Sequence, residues 1–129
     1  MIKWTIKTLS AICIILMPTA GYAQVSIDEY MQHACSANAT ACKDGIALAG
    51  KLVDCLELPA DAPATFKMLA RVMLKDGEAA FSNIVFDTVQ LSPWEKLAAV
   101  AITDAITACE PYANLSGPVV VVITPSLLP

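Results

Sequence analysis

The chain has 129 residues, 8 basic and 12 acidic for a formal charge of −4, and 57% of them are hydrophobic. That acidity, with Arg71 as the single arginine, excludes the basic footprint of a nucleic-acid-binding protein. The length suits one domain with a modest core, which covalent staples would help to hold.

Met1 to Ala23 has the three parts of a secretory signal. Lys3 and Lys7 form a positive start, Leu9 to Met17 an apolar centre, and Pro18 to Ala23 a short exit in which Gly21 and Ala23 are the small residues a signal peptidase requires. The expectation is cleavage before Gln24 and a periplasmic protein with no membrane anchor left, since the apolar run is shorter than the roughly 20 residues of a membrane span. Cys13 follows Ile12 rather than a small residue, which argues against lipidation. Losing the signal leaves 6 basic against 12 acidic residues, a formal charge of −6, and four of the 5 cysteines. An even number of cysteines in an oxidising compartment points to two disulfides.

Ser26 to Ala37 opens with a capping box, Ser26 with Glu29, and places Ile27, Tyr30, Met31, Ala34 and Cys35 at helical spacing. Thr40 to Leu58 reads as a second amphipathic helix with Cys42 near its start and Cys55 near its end. At about 1.5 Å per residue these two thiols would lie roughly 20 Å apart, beyond the Cα separation of about 4.4 to 6.8 Å that a disulfide permits. They cannot pair with each other. The tight turn between the helices puts Cys35 beside Cys42, and elimination leaves Cys55 for Cys109. Gly45 and Gly50 within the helix each cost about 1 kcal/mol relative to alanine, which suggests close approach of another backbone.

Leu58 to Pro63 is a proline-punctuated turn. Ala64 to Asp76 resumes the helical period through Phe66, Leu69, Ala70 and Met73, with Gly77 as its C-cap. Glu78 to Leu91 continues it through Phe81, Ile84, Val85, Thr88 and Val89, although the β-branched run IVFDTV makes a strand the alternative there. Ser92-Pro93-Trp94-Glu95 is the clearest start signal in the chain, combining an N-cap serine, proline at the first helical position and a closing glutamate. The last helix runs to about Glu110 and is ended by Pro111. VVVVI, bracketed by Pro118 and Pro125, has strand propensity without charge, but finds no confident partner strand. The reading is all-α: a disulfide-stapled bundle of four to five helices over residues 24–112, followed by an extended or disordered apolar tail over 113–129.

Chemistry is sparse. His33 is the only histidine, and Glu29 four residues before it could share a metal, yet no third ligand is apparent. No second histidine is available to build a nucleophile and base, and phosphate-cradling glycine loops are absent. No catalytic residue, metal or cofactor is expected, and binding becomes the default class.

Four segments carry a family resemblance. YMQHAC (Tyr30 to Cys35), CKDGIALAG (Cys42 to Gly50), DCLELP (Asp54 to Pro59) and LAAVAITDAITACEP (Leu97 to Pro111) resemble the cysteine landmarks of the Rap/Tai-type immunity proteins of bacterial type VI secretion systems. The resemblance implies a periplasmic inhibitor, not an enzyme, that blocks the active-site groove of a cell-wall amidase effector and forms a homodimer. Charge steering and a rigid, stapled surface are consistent with that role. Exposed turns between rigid elements then suggest Asp76, Gly77, Glu78 and Trp94 as partner contacts. A small periplasmic stress chaperone and an envelope interaction protein using the VVVVI segment are the alternatives.

Overall fold

A computed structural model describes residues 26–128. The expected signal peptide and the cleavage site before Gln24 lie outside the described residues. Two helices come first, α1 (Ile27–Ala37) and α2 (Ala39–Leu52); a hairpin follows, β1 (Met68–Lys75) and β2 (Glu78–Phe86); then α3 (Pro93–Ala108), β3 (Gly117–Ile123) and a 3-10 turn at Pro125–Leu127. The strands form one antiparallel sheet in the order β2-β1-β3.

This α+β architecture corrects the all-α expectation. The segments read as two helices from Ala64 to Leu91 are the β-hairpin, and the segment read as a loose tail contributes β3. Helical and strand periods both fit Met68–Lys75, because Met68, Ala70, Val72 and Leu74 alternate while Leu69 and Met73 also supply helical spacing. Asp76-Gly77 decides between them. Both residues have positive φ, 53° and 83°, as a two-residue hairpin turn requires, so Gly77 turns a hairpin instead of capping a helix. Pairing runs from Lys75–Glu78 to Met68–Phe86, with a bulge near Ala80.

The even-numbered residues of β1 face one core. There Met68, Ala70, Val72 and Leu74 pack with Val119, Val121 and Ile123 of β3, with Leu48 and Leu52 of α2, and with Ile102 and Ile106 of α3. The segment expected to be a tail is therefore central to burial: Val119 and Ile123 are fully covered. On the opposite face α1 covers only one end of the sheet, through Ile27 against Leu69 and Val120.

α2 lies along the outer edge of β3. It ends at Leu52, earlier than the expected Leu58, and Cys55 sits in the turn that follows. Gly45 is buried, and a Cβ there would collide with the Val120 carbonyl oxygen. This is the backbone approach that an internal glycine permits. Gly50, in contrast, has open space around it, so the expected close approach applies to Gly45 alone.

The cysteines join as Cys35–Cys42 and Cys55–Cys109, with Cα separations of 5.5 and 5.8 Å. The first ties α1 to α2. The second ties the turn after α2 to the end of α3. Both start signals are realised in part or in full. At α3, Ser92 Oγ accepts from the Glu95 amide at 3.1 Å and Glu95 Oε1 accepts from the Ser92 amide at 2.8 Å. At α1, Ser26 Oγ accepts from the Glu29 amide at 3.1 Å, while the Ile27 amide donates to Asp87 Oδ1 at 2.6 Å and anchors the helix to the end of β2.

Candidate functional site

The residues singled out in the sequence do not form one surface. Asp76 and Glu78 are exposed at the hairpin tip, but Gly77 between them is buried. Its amide donates to Leu115 O at 3.1 Å, and its carbonyl accepts from the Tyr112 amide at 2.7 Å. A Cβ on Gly77 would come within 2.9 Å of the Tyr112 carbonyl oxygen. The tip is thus fastened to the segment after α3. Glu110 strengthens the fastening by accepting from the Ala79 amide at 2.7 Å.

Trp94 lies in the first turn of α3, at the other end of a 16-residue helix that spans roughly 24 Å. Its indole donates to Pro59 O at 3.2 Å, and its ring packs on Phe66 with centroids 5.2 Å apart. Those contacts make Trp94 the clasp that holds the 53–67 connection against the core. It and the hairpin tip are not brought together.

A different cluster does converge, on the half of the sheet that α1 leaves uncovered. The cross-strand rows can be read from the register: Val85–Leu69–Val122, then Asn83–Arg71–Val120, then Phe81–Met73–Pro118. α1 covers the first row. Arg71 stands at its rim, with Tyr30 of α1 placing its ring 5.7 Å from the guanidinium carbon. The third row is open, and Met73 and Phe81 are 43% and 59% exposed.

Two small cavities flank the Arg71–Tyr30 pair. The inner one, about 170 Å³, is lined by Ile27, Leu69 and Val85. The outer one, about 230 Å³, is bordered by Met73, Phe81 and Pro118. The walls of both are mainly apolar, so the guanidinium is the one charged group common to the two.

Its hydrogen bonding is incomplete. Arg71 Nη2 donates to Asn83 Oδ1 at 3.2 Å, whereas Nε is buried and has no acceptor among the described residues. An unmet buried donor costs about 1 to 3 kcal/mol. Among the described residues no carboxylate pairs with Arg71 either; the salt bridge found there joins Lys67 to Asp28 at 3.0 Å. The Tyr30 ring offers cation–π attraction of about 0.5 to 1 kcal/mol, less than a charged acceptor would supply.

This cluster depends on register and so leaves no local mark in the sequence. With β1 read as a helix, Arg71, Asn83 and Tyr30 have no reason to meet. A single arginine in an acidic chain was the available signal.

Among the described residues, no three His, Cys, Asp or Glu side chains are grouped to hold a metal ion, and no helix is long and apolar enough to cross a membrane. Family models, curated proteins and solved structures were compared with the chain, and none matches it.

Proposed function

We propose that the protein is an exported binding protein, not an enzyme, and that its partner docks on the uncovered half of the sheet face. The observation that carries this reading is the open row of Phe81 and Met73 beside an arginine that has no carboxylate partner among the described residues. Aromatic residues, methionine and arginine are the types enriched where proteins bind one another. Both disulfides and a three-stranded sheet hold the surface rigid, so that little ordering entropy is lost on association. The disulfides are also compatible with an oxidising, exported compartment.

The immunity reading is the narrower form of this proposal, with a cell-wall amidase as the partner. Pairing of all four cysteine landmarks supports it. The three strands between Met68 and Ile123 lie outside the four segments that carry the resemblance.

A photo-crosslinking amino acid at position 81, compared with one at position 100, tests the proposal in cells exporting the full chain. Phe81 and Val100 are almost equally exposed, 59% and 58%, but Val100 lies on the outer side of α3. A discrete adduct from position 81 alone is expected, and an amidase within it would favour the antidote role. Identical adducts from both positions, or none from position 81, would refute it.

A further inference from the structure

A second surface lies on α2, at the opposite edge of the sheet from Phe81: we propose that α2 pairs with α2 of a second copy of this chain, antiparallel about a two-fold axis. Ile46 is 76% exposed in the middle of the helix. One turn further on, on the same face, Gly50 has open space where a Cβ would stand. A protruding side chain and a matching notch thus lie on one helix. Beside them an apolar groove of about 510 Å³ runs between α2 and β3, lined by Met31, Cys35, Gly50, Val122 and Leu127 among others. An α2 turned end for end sets each Ile46 over the other copy's Gly50, at the mouth of that groove, and brings Lys43 beside Asp54.

Charge selects the occupant. Lys43 at the start of this face and Asp54 in the turn that closes the helix are both exposed, and neither belongs to an ion pair among the described residues. The nearby Lys51 is turned aside, donating to Pro111 O beside the Tyr112 ring. Reversed pairing of two copies joins Lys43 of each to Asp54 of the other, while parallel pairing would set like charge against like. An acyl chain would fill the groove but leave the two opposite charges unanswered. A foreign helix would need the same features in reversed order, which a second copy supplies by symmetry. A helix pair of this length belongs near the lower limit of specific interfaces, about 1,200 Å² of buried surface. The pairing is therefore expected to be reversible, with a dissociation constant of about 10 to 100 μM.

Sedimentation equilibrium of the oxidised protein, at loading concentrations that bracket this range, tests the pairing. The mass is expected to rise from that of one chain to that of two. Ile46→Glu and Gly50→Leu should each weaken association about tenfold or more. Neither change touches the core, because Ile46 is exposed and the space beyond Gly50 is open, so both variants should keep the circular dichroism of the wild type. Orientation is tested by charge. Lys43→Glu alone and Asp54→Lys alone place like charges at both ends of the pair and should weaken association about threefold to tenfold. An equimolar mixture of those two variants restores opposite charges at both ends and should associate as tightly as the wild type. A chain that stays monomeric throughout, a dimer that survives both Ile46→Glu and Gly50→Leu, or a mixture no tighter than its components would overturn the assignment. So would a discrete adduct between a crosslinker at position 46 and a different protein while the chain itself stays monomeric. Because Phe81 and Met73 take no part in this pairing, the outcome at position 81 is judged separately.

Discussion

β2 and β3 flank the same central strand, yet they occupy different worlds. β3 buries Val119, Val121 and Ile123 on its inner face, and α2 lies against its outer edge closely enough to exclude a Cβ at Gly45. β2 has no fully buried residue from Glu78 to Phe86, and Phe81 stands in the open. β2 carries Glu78, Ser82 and Asn83 where β3 has no polar side chain, but its six apolar residues are not fully buried either, so composition alone does not explain the difference. What lies across the strand does. An uncharged VVVVI segment on an unprotected edge would invite pairing with other chains, and α2 removes that edge from reach. The β3 side is therefore where stability should concentrate, and the β2 side where surface remains for recognition.

The largest test of this contrast concerns the second disulfide. On a loop-closure basis, replacing Cys55 and Cys109 together by alanine should cost about 4 kcal/mol, and replacing Cys35 and Cys42 about 2.5 kcal/mol. Urea midpoints of the two double variants, measured without reductant, check the order; a reversed order would break the comparison. Next comes the β3 side itself. Ile123→Ala removes side-chain volume from a fully covered position and should cost about 3 kcal/mol. Gly45→Val should cost a similar amount, about 3 kcal/mol, by forcing α2 off the Val120 carbonyl. If Gly45→Val melted like the wild type, α2 would not be the edge cover described above.

Much of the helical part of the fold was legible because its signals are local. Ser26 and Ser92 announce their helices within three residues, and the four cysteines constrain one another through chain geometry. The sheet was not legible for a related reason. Its pairings join residues such as Arg71 and Val120, far apart in sequence, and Met68 to Leu74 satisfies two periods at once. Asp76-Gly77 was the strongest short-range hairpin signal present, but a glycine after an apolar run also resembles a helix C-cap. With β1 read as a helix, VVVVI has nothing to join, and the Arg71 cluster lacks the register that creates it.

Tyr112 gives an intermediate effect with a defined pH window. The residue is 1% exposed, its hydroxyl donates to Ile106 O at 2.6 Å, and burial first, then the charge of Glu110, pushes its pKa up to about 12 from 10.0. The folded state thus holds the proton more tightly than the unfolded chain. Its contribution is fully present below pH 10, then falls as pH rises from 10 towards 12, by about 2 to 3 kcal/mol in all. Tyr112→Phe should flatten this part of the stability profile, as read by denaturation at a series of alkaline pH values. An unchanged slope in the variant would show that the hydroxyl is not the group responsible.

Gly50→Ala sharpens the contrast inside α2 itself, since that position has open space and should gain about 0.5 to 1 kcal/mol where Gly45→Val loses stability. The smallest expected change is on β2. Phe81 pairs across the strand with Met73, a contact worth about 0.2 to 1 kcal/mol, and Phe81→Ser should therefore lower stability by about 0.5 kcal/mol, against about 3 kcal/mol for Ile123→Ala. Thermal and urea unfolding of the two variants side by side would measure the gap. A large loss for Phe81→Ser would assign that ring to the fold and weaken the docking face. A small loss would leave the exposed ring free for the proposed docking face, beside an arginine that has no carboxylate partner among the described residues.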